Sequence, residues 1–141
     1  MQEDARWSLI ADPDRELKGG VILSEWCALI VQDTDLAFAS GANLATIITA
    51  TAGIETYLRS EYGAGERETL HKLIDGSPIR EDLKAELHRI RKYRNRWVHV
   101  SDPSEDKDLI VNFEKYDREL EDMAIAAVRA LRRTIYENQW T

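Results

Sequence analysis

Cysteine is almost absent from this sequence, and long hydrophobic runs are absent altogether. The one cysteine, Cys27, has no partner for an internal disulfide and cannot form a cysteine zinc site. We therefore expect a small buried thiol and a cytoplasmic setting. No apolar run approaches the roughly 20 residues that cross a bilayer. The acidic, polar N-terminus also lacks the features of a secretory signal, so we expect no membrane partner.

Histidine and glycine are scarce as well, which bears on metal and phosphate chemistry. His71, His88 and His99 are the only histidines, and no HExxH or Cys/His cluster occurs. The short stretch 63–66 (GAGE) lacks the length of a phosphate-binding loop. We expect no metal site and no cofactor.

Acidic residues outnumber basic ones, but not uniformly along the chain. The net charge of −7 argues against nonspecific nucleic-acid binding by the whole surface. Residues 88–99 nevertheless hold five arginines and lysines and no acid. That segment carries +5, which leaves −12 for the rest of the chain. The asymmetry indicates a local anion-binding site.

The 141 residues suit one domain, and hydrophobic spacing predicts helices throughout. We expect an all-α, four-to-five-helix up-and-down bundle, with an arm at 1–18 that packs through Trp7, Leu9 and Ile10 or frays, and the bundle at 19–141. The predicted helices span about 21–39, 42–62, 66–75, 78–98 and 103–138. The small residues of ATIITATAG would let a neighbouring helix approach closely, although this β-branched run also permits a strand. Ser77-Pro78 and Asp102-Pro103-Ser104-Glu105 are helix-start signals.

The basic helix breaks its own hydrophobic pattern at one position. Leu83, Leu87 and Ile90 share a face at 100° per residue, and Arg94 falls in the middle of it. A buried charge is costly unless it is paired or faces a site. His99 lies about 140° away on an ideal helix. Either the helix unwinds before Ser101, or a second copy of the chain supplies the facing residue.

A neighbouring stripe consists of hydrogen-bond donors that can reach an anion: Lys84, His88, Arg91, Asn95 and His99. The alternative is an ordinary solvated basic face with i, i+4 ion pairs, ended by a histidine cap. Tyr93 and Trp97 are core or dimer contacts rather than base-stacking platforms. Glu55 either pairs with Arg94 or Arg91 inside the bundle or pairs with Arg59 on the surface.

The stretch Arg94-Asn95-Arg96-Trp97-Val98-His99 resembles the HEPN superfamily signature, R-N-x-x-V-H, at the end of a helix that precedes a long one. The likeness in architecture covers about residues 20–138. It implies a metal-independent endoribonuclease that acts as a homodimer, often a toxin or antiviral effector with an antitoxin partner. Carried over to these positions, Arg94 and His99 would be catalytic and Asn95 supporting. The helix faces, rather than the resemblance, add Glu55 as a residue behind the catalytic pair and Lys84, His88, Arg91, Lys92 and Arg96 as contacts for RNA phosphates. Ser101 stands where some members carry a modified tyrosine.

Two other classes of function stay open. A non-catalytic helical bundle could use the same basic helix to bind a nucleotide, RNA or an acidic protein. A purely structural subunit with a decayed motif is the third reading. Catalysis would require His99, whereas anion binding would depend more on Arg91, Lys92 and Arg96.

Overall fold

Helices make up all the regular structure among the described residues. The computed structural model describes residues 1–16, 23–65 and 67–137. In chain order they form α1 (Glu3–Glu16), α2 (Glu25–Ala39), α3 (Asn43–Tyr62), α4 (Leu70–Gly76), α5 (Glu81–Val98), α6 (Lys107–Val111) and α7 (Phe113–Tyr136). The all-α prediction is confirmed. The predicted helix limits at 21, 66 and 138 and the arm boundary at 18 lie outside the described residues. No described helix is both long and apolar enough to cross a membrane.

The core forms around α3, which contacts α2, α4, α5 and α7. Its buried Ile47, Ile54 and Leu58 each contribute about 1.5–3 kcal/mol relative to an exposed position. Gly53 permits the close approach that the small residues predicted. A Cβ there would lie 3.2 Å from Cγ2 of Ile30 on α2 and 3.2 Å from Cδ1 of Leu131 on α7. The β-branched run is therefore helical, with neighbours packed on two sides.

The N-terminal arm is a helix, and an arginine anchors it. Arg6 is 3% exposed and donates from Nη1 to the main-chain oxygen of Phe38 at 2.8 Å and to Oδ1 of Asn43 at 2.9 Å. Its Nη2 lies 3.3 Å from Oε2 of Glu121 on α7. Of the three apolar residues expected to pack, Ile10 is buried, Leu9 is half-buried and Trp7 is exposed. The described part of the arm, α1, packs against α2 and α7 rather than frays.

The prediction that a helix starts at Ser77-Pro78 is wrong, because Ser77 forms hydrogen bonds with the preceding helix, α4. Its backbone N–H donates to the oxygen of Ile74 and its hydroxyl donates to the oxygen of Leu73, which satisfies the last turn of α4. The next helix, α5, begins at Glu81 with Arg80 as its N-cap. A Ser-Pro pair marks a corner as well as a helix start.

The prediction that the long final helix begins at 103 is also wrong. The carboxylate of Asp102 accepts from the backbone N–H of Ser104 at 3.1 Å and from its hydroxyl at 2.6 Å. This local turn competes with helix capping. The short α6 begins only at Lys107, and Asn112 separates it from α7. Residues 98–115 are all exposed, so tertiary packing does not extend the helix there.

Candidate functional site

A cavity of about 640 Å³ lies where α3, α4 and the C-terminal end of α5 meet. Its described lining includes four arginines and two glutamates, which give a formal charge of +2 on a protein of −7. These six residues are Arg59, Arg67, Arg91, Arg94, Glu55 and Glu68. The concave shape and positive charge suit an anion.

Arg94 presents a guanidinium group that has no hydrogen-bond or ion-pair partner among the described residues. It follows the buried Leu87 and Ile90 on α5 and is itself half-buried against the cavity. Its Nε is buried and has no hydrogen-bond partner, and among the described residues Arg94 forms no ion pair. Buried polar atoms are nearly always satisfied, so this Nε is an exception. The half-buried arginine lines the cavity, where its charge can bind an anion.

His99 lines the same cavity because α5 ends at Val98. The backbone N–H of His99 still donates to the oxygen of Asn95 at 3.0 Å, but φ −125° and ψ 49° take the residue out of the helix. Of the two routes that the sequence left open, the helix unwinds, so a single chain places Arg94 and His99 on one cavity. Asn95 also lines it, with a buried and unpartnered Oδ1.

A polar network behind the cavity joins α4 to α5. Nε2 of His88 lies 2.8 Å from Oδ1 of Asp75, and Nε2 of His71 lies 3.1 Å from Oδ2 of the same carboxylate. Nε of Arg91 donates to Nδ1 of His88 at 3.3 Å. Because the arginine always carries its proton, Nδ1 of His88 is the acceptor and Nε2 bears the proton that Asp75 accepts. The hydrogen bond from His88 lowers the pKa of Asp75.

The predicted RNA-contacting residues separate into three groups. Arg91 lines the cavity. Lys84 and His88 instead face α4, where Nζ of Lys84 donates to the main-chain oxygen of Asp75 at 3.0 Å. Lys92 and Arg96 are exposed, and Nη1 of Arg96 lies 3.8 Å from Oε1 of Glu119. The basic residues of α5 therefore lie in three different environments: the cavity, the contact with α4 and the exposed surface.

Glu55 lines the cavity, and its ion-pair partner is Arg59. Oε2 of Glu55 lies 3.6 Å from Nη1 of Arg59, one turn later on α3. No ion pair joins Glu55 to Arg91 or Arg94 within the described ranges. Of the two pairings weighed for Glu55, the structure has the one with Arg59.

Sequence reasoning missed several cavity residues and the network beside them. Arg59, Arg67 and Glu68 come from α3 and the α3–α4 connection, where no pattern marks them. His71 and Asp75 share the i, i+4 spacing of one helix turn, which is a weak signal. Asp75 and His88 lie 13 positions apart, and only the packing of α4 on α5 brings them together.

Comparisons with protein-family models, with curated proteins and with solved structures found no match for this chain.

Proposed function

We propose that this chain is a HEPN-type endoribonuclease that cleaves RNA without a metal ion, with Arg94 and His99 as catalytic residues. One observation carries the proposal: Arg94, which has no partner among residues 1–16, 23–65 and 67–137, and His99 line the same positively charged cavity. The resemblance of the R-N-x-x-V-H segment to HEPN proteins supports RNA cleavage as the reaction. The proposed biological setting, a cytoplasmic prokaryotic toxin or antiviral system with a regulatory antitoxin protein, rests on that resemblance alone.

The chemistry follows from the two side chains. His99 takes the proton of a ribose 2′-OH, whose oxygen then attacks the adjacent phosphorus. The P–O5′ bond breaks, and the leaving 5′ oxygen takes a proton from water. His99 then gives the proton that it accepted to the hydroxide that this leaves. Arg94 binds the phosphate oxygens and stabilises the negative charge that develops on them. The products are a 2′,3′-cyclic phosphate and a 5′-OH. DNA lacks the attacking hydroxyl and is not cut.

The resemblance also implies that the enzyme acts as a homodimer, and exposed apolar residues near His99 support this part of the proposal. Exposed apolar residues lie on both sides of His99, at Val98 and Val100. The following segment also exposes apolar side chains: Ile110 and Val111 on α6 are 68% and 78% exposed, and Phe113 is 64% exposed. Large exposed apolar patches mark interaction sites. A two-fold axis here would bring the two copies of His99 close to each other.

The test is cleavage of labelled single-stranded RNA in the presence of EDTA. Wild type should cleave and leave cyclic-phosphate ends, and His99→Ala should not. Leu29→Ala is the matched control, because it truncates an exposed apolar side chain on α2 that does not line the cavity, and it should cleave like wild type. Equal cleavage by wild type and His99→Ala would refute the proposal.

The second candidate is a non-catalytic module that binds RNA or a nucleotide in the same cavity. The formal charge of +2 favours this reading equally, since anion binding needs no proton transfer. RNA binding without cleavage by wild type, weakened in Arg94→Ala and retained in His99→Ala, would support the module over the enzyme.

A further inference from the structure

Two histidines and a carboxylate converge beside the cavity without belonging to the proposed catalytic pair. One ligand atom each from His71, Asp75 and His88 can be chosen so that all three lie within 4.8 Å of one another. His71 and Asp75 stand one turn apart on α4, and His88 comes from α5. Both histidines direct Nε2 at the same carboxylate, and their rings lie 4.9 Å apart at an interplanar angle of 69°.

We propose that His71, Asp75 and His88 bind a divalent transition-metal ion, with Zn²⁺ as the type, at the rim of the cavity. Two imidazole nitrogens and one carboxylate oxygen form a ligand set that Zn²⁺ accepts with a coordination position left open. His71 and Asp75 are exposed, so an ion has access from solvent. The inference goes beyond RNA cleavage and does not depend on it.

Binding requires a small closure of the three side chains. Zinc–nitrogen bonds of about 2.0–2.1 Å place tetrahedral ligand atoms about 3.4 Å apart. The atoms that now span up to 4.8 Å must therefore approach one another. The His71 side chain is 58% exposed and can turn toward His88 without displacing the core. The ion would replace the two hydrogen bonds that now connect the imidazoles through Asp75.

The proton on His88 links this site to Arg91. Metal bound at Nε2 requires the neutral ring to carry its proton on Nδ1, and Nδ1 now accepts from Nε of Arg91. The hydrogen bond to Arg91 and the metal are therefore mutually exclusive. Metal binding would release the Arg91 guanidinium, which lines the cavity, so the ion and the cavity are coupled through this one side chain.

Calorimetric titration of the full chain with Zn²⁺ tests the site, with the absorption spectrum of Co²⁺ as a second probe of coordination. We expect one ion per chain. His71→Asn, Asp75→Asn and His88→Asn should each weaken binding by at least about tenfold. Two matched controls should bind like wild type: His99→Asn, the remaining histidine, and Asp117→Asn, another exposed helix carboxylate. Circular dichroism verifies the fold of every variant.

Arg91→Ala makes the test specific for the proposed coupling. Loss of the competing hydrogen bond to His88 should tighten Zn²⁺ binding by about twofold to tenfold. The site is refuted if wild type binds no ion with metal in excess, or if His71→Asn binds as tightly as wild type. Weaker binding by Arg91→Ala would refute the coupling. Because the ribonuclease assay contains EDTA, failure of either proposal leaves the other intact.

Discussion

Arg94 and His99 line one cavity in a single chain, because α5 ends at Val98 and the backbone leaves the helix at His99. On a continuous helix these two side chains would diverge by about 140°. The end of the helix is therefore part of the site, since it coincides with the position at which the histidine joins the arginine in the cavity lining. This relationship supports the proposed assignment of a phosphate-binding cation and a proton-transfer group.

The shape of the arginine side chain should matter as well as its charge. Arg94→Ala should lower kcat/KM for RNA by about 10²–10³-fold, the usual effect of removing one group that stabilises a developing charge. Arg94→Lys keeps the charge but loses the fork that binds two phosphate oxygens, so we expect a large loss there too. The matched control is Arg96→Lys, at an exposed surface pair, which should stay within about fivefold of wild type. Full activity in Arg94→Lys would contradict this role.

The exposed apolar surface that follows His99 should hold a homodimer together. Val111→Asp places a charge on a side chain that is 78% exposed in the single chain. If dimerisation buries this valine, each protomer loses about 2 kcal/mol of apolar burial and gains a desolvated charge. We expect light scattering to show a dimer for wild type and a monomer for the variant.

Leu29→Asp controls the dimer experiment, because Leu29 is an exposed apolar residue on α2, 56% accessible. This variant should remain dimeric. Dissociation by Leu29→Asp with Val111→Asp unaffected would place the interface on α2. A wild type that stays monomeric would refute the proposed homodimer.

The anchor of the N-terminal helix should contribute strongly to stability. Arg6→Ala removes two short hydrogen bonds and an ion pair, and leaves the main-chain oxygen of Phe38 without this partner. We expect the free energy of unfolding in urea to fall by about 2–4 kcal/mol. Arg118→Ala, at an exposed position of α7, should change it by less than about 0.5 kcal/mol. Equal midpoints for the two variants would show that α1 is not anchored through Arg6.

The contact between α6 and α7 should depend on pH in both directions. Tyr116 donates its hydroxyl hydrogen to Asp108, and Nδ2 of Asn112 donates to Asp108 at 2.7 Å. The bond from Tyr116, followed by that from Asn112, lowers the pKa of Asp108, whereas the bond to Asp108 raises the pKa of Tyr116. The Asp108 contribution is present above the usual aspartate pKa and is lost as pH falls through the lowered one. The Tyr116 contribution is present below the usual tyrosine pKa of about 10 and is lost as pH rises through the raised one.

NMR titration of the tyrosine ring carbons measures this effect directly. Asp108→Asn should bring the Tyr116 midpoint down toward the ordinary tyrosine value, because the negative acceptor is gone. Asp106→Asn removes a neighbouring exposed carboxylate and should leave the midpoint in place. An unchanged midpoint in Asp108→Asn would show that this hydrogen bond does not set the pKa.

Local pattern predicted α2, α3 and α5, but it misplaced the start of α5 and ran α6 and α7 together as one helix from 103. The apolar periods of α2, α3 and α5 identify those helices, because side chains that recur every turn must share a buried face. Ser77 and Asp102 are both residue types that commonly cap the N-terminus of a helix. One instead completes the last turn of α4, and the other forms a local turn with Ser104. The same hydrogen-bonding groups suit either use, and the surrounding packing decides between them.

The candidate site, like the fold, has features that the sequence predicts and features that only the tertiary structure shows. The sequence by itself determined the all-α fold, the amphipathic period and the position of a charged Arg94 on an apolar face, since these depend on spacing within one helix. Only the tertiary structure decided that His99 leaves the helix toward the cavity, that Glu55 pairs with Arg59, and that His71 and His88 share the carboxylate of Asp75. Helix periodicity acts over a few residues. Contacts between α4 and α5 depend on how the two helices pack, and no local pattern encodes that arrangement.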